Sequence, residues 1–81
     1  MQFVYLMKSS VDPKKRYVGL THDLNSALIE HNSGKLEPTR DDTPWQIDVA
    51  IRFDNHRSAA DFARYLHSPA GKSYSKKHFW D

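Results

Sequence analysis

The chain has 81 residues, no cysteine, 38% hydrophobic and 27% charged residues, and a formal net charge of +2. A chain this short makes one domain, residues 1–81, and buries only about 60–65% of the surface that its unfolded form exposes. Disulfide staples and thiolate metal sites are excluded; with no apolar run near ~18 residues and no leader-type N-terminus, a cytoplasmic protein without membrane association is expected.

QFVYLMK at residues 2–8 is short, apolar and dense in Val, Phe and Tyr, and reads as a central strand. SSVDPKK follows as a turn, and RYVGL, residues 16–20, reads as a second strand in hairpin relation to the first. A helix follows, with Thr21 as N-cap and Asp23 in its first turn, running through Asn32 and stopping at Gly34. Residues 33–44 are polar and proline-bearing, and read as a loop.

WQIDVAIRF is the clearest strand: Trp45, Ile47, Val49, Ile51 and Phe53 alternate with more polar residues, which predicts one buried face. Asp54 or Asn55 caps a second helix, whose Ala59, Phe62, Ala63 and Leu66 follow helical spacing. SPAGKS breaks it, and the basic, aromatic YSKKHFW ends the chain as a further short helix. The order β-β-α-β-α-α predicts an α+β fold: a small three-stranded, largely antiparallel sheet flanked by helices.

Charge is unevenly placed. Residues 1–20 sum to +3, residues 21–56 to −4 and residues 57–81 to +3. Two basic ends meeting on one face would make a phosphate-facing patch that the weak total conceals. Lys14, Lys15, Arg16, Lys35, Arg40, Lys72, Lys76 and Lys77 are the candidate phosphate contacts, with ordinary solvated lysines as the alternative.

Tyr5 shares a strand face with Phe3 and Met7, and Tyr17 with Gly19, so the two phenols can point the same way. Core packing explains such tyrosines as well as a ligand cleft does, with Gly19 leaving a gap for a ligand backbone. His31 near the helix end reads as a surface or dipole partner on position alone. The remaining histidines lack ligand-type spacing, so no metal ligand is assigned; no glycine-rich phosphate loop occurs either.

VYL at 4–6, YVG at 17–19, LTHDL, LIEHNSGK, PW at 44–45 and RYLHSPAGKSYSKKHFW at 64–80 occur in this order over nearly the whole chain. Together they resemble the GIY-YIG nuclease superfamily, and more narrowly its small, single-domain bacterial branch. The resemblance implies a metal-dependent DNA endonuclease using Mg²⁺ or Mn²⁺. It assigns Tyr17 to generating the attacking water, Tyr5 to supporting it and the phosphate, and the EHN histidine to His31. An arginine ten residues after the second tyrosine would stabilise the phosphate charge, and a glutamate on the later helix would hold the ion.

Those two charged positions fall on Ala27 and Ala63. Neither Glu30 nor Asp61 nor Arg64 replaces them by position. The resemblance thus implies an endonuclease domain that is silent or feeble, or a non-catalytic DNA-binding or regulatory module on the same fold. A third reading takes Phe79 and Trp80 as an exposed anchor for a protein partner.

Overall fold

The structure, a computed structural model, describes residues 1–80. Strand β1 (Gln2–Ser9) is central, with β2 (Arg16–Thr21) on one side and β3 (Trp45–Phe53) on the other. Both pairings are antiparallel. Val4, Tyr5, Leu6 and Met7 are all buried, which fits the unbroken apolar run of a strand covered on both faces. Helix α1 (Leu24–Asn32) and a 3₁₀ segment (Glu37–Asp42) follow β2, and helices α2 (His56–His67) and α3 (Pro69–His78) follow β3. The expected α+β architecture is therefore the observed one. Among the described residues, no helix is long and apolar enough to cross a membrane.

The sheet separates two apolar clusters. Tyr5, Met7, Ala27 and Trp45 form one, joined by Tyr17, Leu28 and Ile47. Val4, Leu6, Ala59 and Leu66 form the other, against which Val18, Val49, Phe62, Ala63, Phe79 and Trp80 pack. Contrary to what its pattern predicts, the alternation in β3 does not line a single face. Leu6 pairs with Val49 but Met7 pairs with Ile47, so Asp48 is an extra residue in the ladder. A bulge of this kind flips the side-chain phase, sending Trp45 and Ile47 to one cluster and Val49 and Phe53 to the other.

Two boundaries differ from the sequence reading, each for a local reason, while the α2 cap is one of the two residues expected. Asp23, not Thr21, caps α1: its carboxylate accepts from the Ser26 amide at 3.1 Å and the Ser26 hydroxyl at 3.0 Å. Asn55 caps α2 by accepting from the Ser58 amide. SPAGKS breaks α2 as expected, but the last helix already starts at Pro69 within it, because Ser68 ends α2 and also caps α3 through the Gly71 amide. Phe79 and Trp80 are half-buried against the second cluster, so the aromatic end packs back onto the core instead of standing out as an anchor.

Candidate active site

The hairpin register sets the site. Tyr5 stands opposite Gly19 and Met7 opposite Tyr17, so all four share one face. A Cβ at Gly19 would lie 2.3 Å from both the Cζ and the hydroxyl of Tyr5. The gap beside Tyr17 is thus filled by the Tyr5 ring, which corrects the expectation that a ligand backbone enters there. Gly19→Ala is expected to push that ring aside at a cost of about 1–3 kcal/mol. Thermal unfolding should show a melting temperature lower by about 5–20 °C, scaled for a domain of this size.

Glycine at position 19 lets the Tyr5 hydroxyl reach His31, whose Nε2 lies 2.8 Å away. The other ring nitrogen, Nδ1, is 2.9 Å from the Thr39 hydroxyl, and both residues are buried. The Thr39 proton has the Leu36 carbonyl to go to, at 3.5 Å. Nδ1–H therefore donates to Thr39, and Nε2 accepts from Tyr5. Trp45 braces the far end: its indole donates to the Thr39 carbonyl at 2.9 Å, and Asn32 clasps its backbone at 2.6 and 3.1 Å. Far from being a surface helix-end partner, His31 is 2% exposed with both nitrogens engaged.

This environment keeps both groups neutral. Burial pushes the Tyr5 phenol up to about 12, with Tyr17 and Glu30 adding to the rise. Burial also holds His31 below its usual value, partly opposed by Glu30. Below about pH 6.5 the unfolded chain protonates His31 while the folded chain resists, so stability falls with pH in that window. Denaturant midpoints at pH 7 and pH 5 should therefore show a larger acid loss in the native chain than in His31→Gln.

The hydroxyl of Tyr17 has no hydrogen-bond partner among the described residues, unlike that of Tyr5. Its ring lies 6.4 Å from Tyr5 and 4.9 Å from His31, centre to centre. All three line a pocket of about 310 Å³, together with Ala27, Asp23 and Glu30. Position 27 thus faces the tyrosines, as the sequence reading expects, and presents a methyl group 9% exposed. No lysine or arginine lines this pocket. Ala63 is different: it is half-buried in the cluster across the sheet, beside Phe62 and Trp80, and does not line the tyrosine pocket. Leu66 and His67, one turn further along α2, line a second pocket that also reaches Tyr17.

Of the eight candidate phosphate contacts, all are exposed. Lys14 and Lys15 lie in the β1–β2 turn and Arg16 at the start of β2, Lys72, Lys76 and Lys77 on α3, and Lys35 and Arg40 around the 3₁₀ segment. Arg16 and Lys72 line the second pocket together. Thr39 and the Asn32–Trp45 clasp escaped the sequence reading, although EHN and PW stood in the quoted motifs.

These features define an α+β domain with a phenol–imidazole pocket at one end of a hairpin. A family model described as the GIY-YIG catalytic domain matches residues 1–77, and the chain belongs to that family. The family is one of nucleases, generally metal-dependent. No curated protein and no solved structure matched the chain.

The residues present do not fit a resident divalent ion. Among the described residues, no three His, Asp or Glu side chains gather to hold one. The carboxylate of Asp23 is bonded to Ser26, both His31 nitrogens are engaged, position 63 offers only a methyl group, and Glu30 is left as a single pocket carboxylate, short of a ligand set.

Proposed function

We propose that this chain is a DNA-binding member of the GIY-YIG nucleases whose own catalysis is silent or very feeble. Tyr5, Tyr17 and His31 are the retained site residues, and Ala27 and Ala63 stand where the family motif places its arginine and glutamate. The observation that carries this reading is the Ala27 methyl in a pocket with three motif side chains and no lysine or arginine. Phosphoryl transfer builds negative charge on the phosphate oxygens, and no lysine or arginine lines that pocket to neutralise it, His22 being its only histidine besides the engaged His31 among the described residues. Asp23 and Glu30 add the wrong sign.

The family's chemistry would use Mg²⁺ or Mn²⁺, which this chain lacks the glutamate to hold. DNA binding is supported by the exposed cations at the β1–β2 turn and on α3. The protein is tested with flapped, branched and duplex DNA plus either ion. Binding that weakens steeply with salt, with little or no cleavage, is the expected result. Robust cleavage that survives Tyr17→Phe would refute the assigned site, and no binding at low salt removes the DNA reading.

A further inference from the structure

Arg16 and Tyr17 are neighbours on the edge strand β2, and their side chains take opposite faces of the sheet. On the α2–α3 side lies a pocket of about 370 Å³, walled in part by Arg16, Tyr17, His67, Lys72, Ser75 and Trp80. Its electrostatics are the reverse of the tyrosine pocket. Among the described residues no carboxylate lines it, whereas Asp23 and Glu30 line the other and no lysine or arginine does.

Arg16 is held in a set orientation. Its guanidinium carbon lies 4.1 Å over the Trp80 ring, and its Nε donates to the Pro13 carbonyl at 3.0 Å. With a face stacked and Nε engaged, the two terminal nitrogens are left as a fork suited to an oxyanion. Neither Arg16 nor Lys72 forms an ion pair with a carboxylate among the described residues. Ser75, on the same wall, has a buried hydroxyl without a hydrogen-bond partner among the described residues.

We propose that this pocket is an oxyanion subsite gripping a backbone phosphate of the DNA strand next to the one facing Tyr17, through Arg16 and Lys72, with Trp80 as a positioning residue. The proposal rests on the DNA-binding reading and deepens it. The chain's hold on DNA lies behind the tyrosines and not at the emptied arginine position. Tyr17, which lines both pockets, stands between the two phosphates.

Binding of labelled DNA is followed by anisotropy between roughly 50 and 200 mM salt. Arg16→Ala and Lys72→Ala are each expected to weaken binding several-fold at the lower salt and to flatten the log–log salt slope by about 0.9. Arg57→Ala, at the start of α2, leaves that slope unchanged. Trp80→Leu weakens binding when Arg16 is present and adds nothing to Arg16→Ala, while Trp80→Phe restores part of the affinity. A Trp80 that served packing alone would lower both backgrounds equally.

If the native chain binds DNA and the Arg16 and Lys72 variants keep its affinity and slope, the subsite is overturned while DNA binding stands. If the native chain binds no DNA, that reading falls by itself, and pyrophosphate then tests the pocket through the emission of Trp80, with Trp80→Phe correcting for Trp45. A response in the native chain that Arg16→Ala abolishes upholds the oxyanion subsite; no response overturns it.

Discussion

Ala27→Arg combined with Ala63→Glu is expected to raise DNA cleavage in Mg²⁺ or Mn²⁺ by at least about 10²-fold over the native chain. One well-placed donor to a developing oxyanion is worth ~10²–10³ in rate. The arginine supplies that donor, and the glutamate restores the carboxylate that the family motif assigns to the ion. Position 63 lies across the sheet from the pocket that Ala27 lines, so most of the gain should come with Ala27→Arg, and Ala63→Glu alone should recover little.

The positions carry unequal structural cost. Position 27 opens on a pocket of about 310 Å³, and arginine is nearly as good a helix former as alanine, so Ala27→Arg should fold unchanged. Position 63 is half-buried among Phe62, Trp80 and their neighbours, and a carboxylate there costs about 1–3 kcal/mol unless it turns toward the second pocket. Melting temperatures separate the effects: a lower value in Ala63→Glu, little change in Ala27→Arg. A folded double variant with no gain in cleavage would mean that these alanines are ordinary packing residues.

Much of the site could be read before any coordinates. Tyr5 and Tyr17 share a face because strands alternate and hairpins pair them, and both properties are local to the sequence. The position of Ala27 follows from helix periodicity counted from the second tyrosine. His31 illustrates the limit. Its place at a helix end suggests exposure, yet a 3₁₀ segment eight residues on folds Thr39 over it, and no periodicity marks a threonine in a polar loop.

The β3 bulge was hidden for the opposite reason. The apolar alternation runs unbroken from Trp45 to Phe53, so the sequence gives no sign that Asp48 switches it from one core to the other. Ala63 inherits that difficulty, because membership of a motif does not say which side of the sheet its helix covers. The stacking of Arg16 on Trp80 joins residues from opposite ends of the chain, beyond any local pattern.

Gly71→Ala is expected to be the most destabilising single-methyl change in the molecule. A Cβ at this position would lie 1.8 Å from the carbonyl oxygen of Tyr65 and 2.6 Å from the Cα of Leu66. These are backbone atoms of α2, so no rotamer relieves the overlap, whereas at Gly19 a ring can swing. Ser68 tightens the corner further: its amide and hydroxyl both donate to that same Tyr65 carbonyl, and its hydroxyl accepts from the Gly71 amide. To admit the methyl group, α3 has to tilt off α2, breaking the cap and drawing Phe79 and Trp80 from the second cluster.

The cost should reach about 3 kcal/mol or more, at the upper end for overpacking, against a total stability of roughly 4–12 kcal/mol for a chain this long. Thermal unfolding should show a drop of more than about 10 °C. Because Lys72 and Trp80 ride on α3 or its end, the same variant should lose salt-sensitive DNA binding while the Tyr5–His31 pair, on the other face of the sheet, persists at low temperature. Ring resonances of His31 report that pair. A melting temperature within a few degrees of the native value would show that the α2–α3 corner is not the rigid joint described.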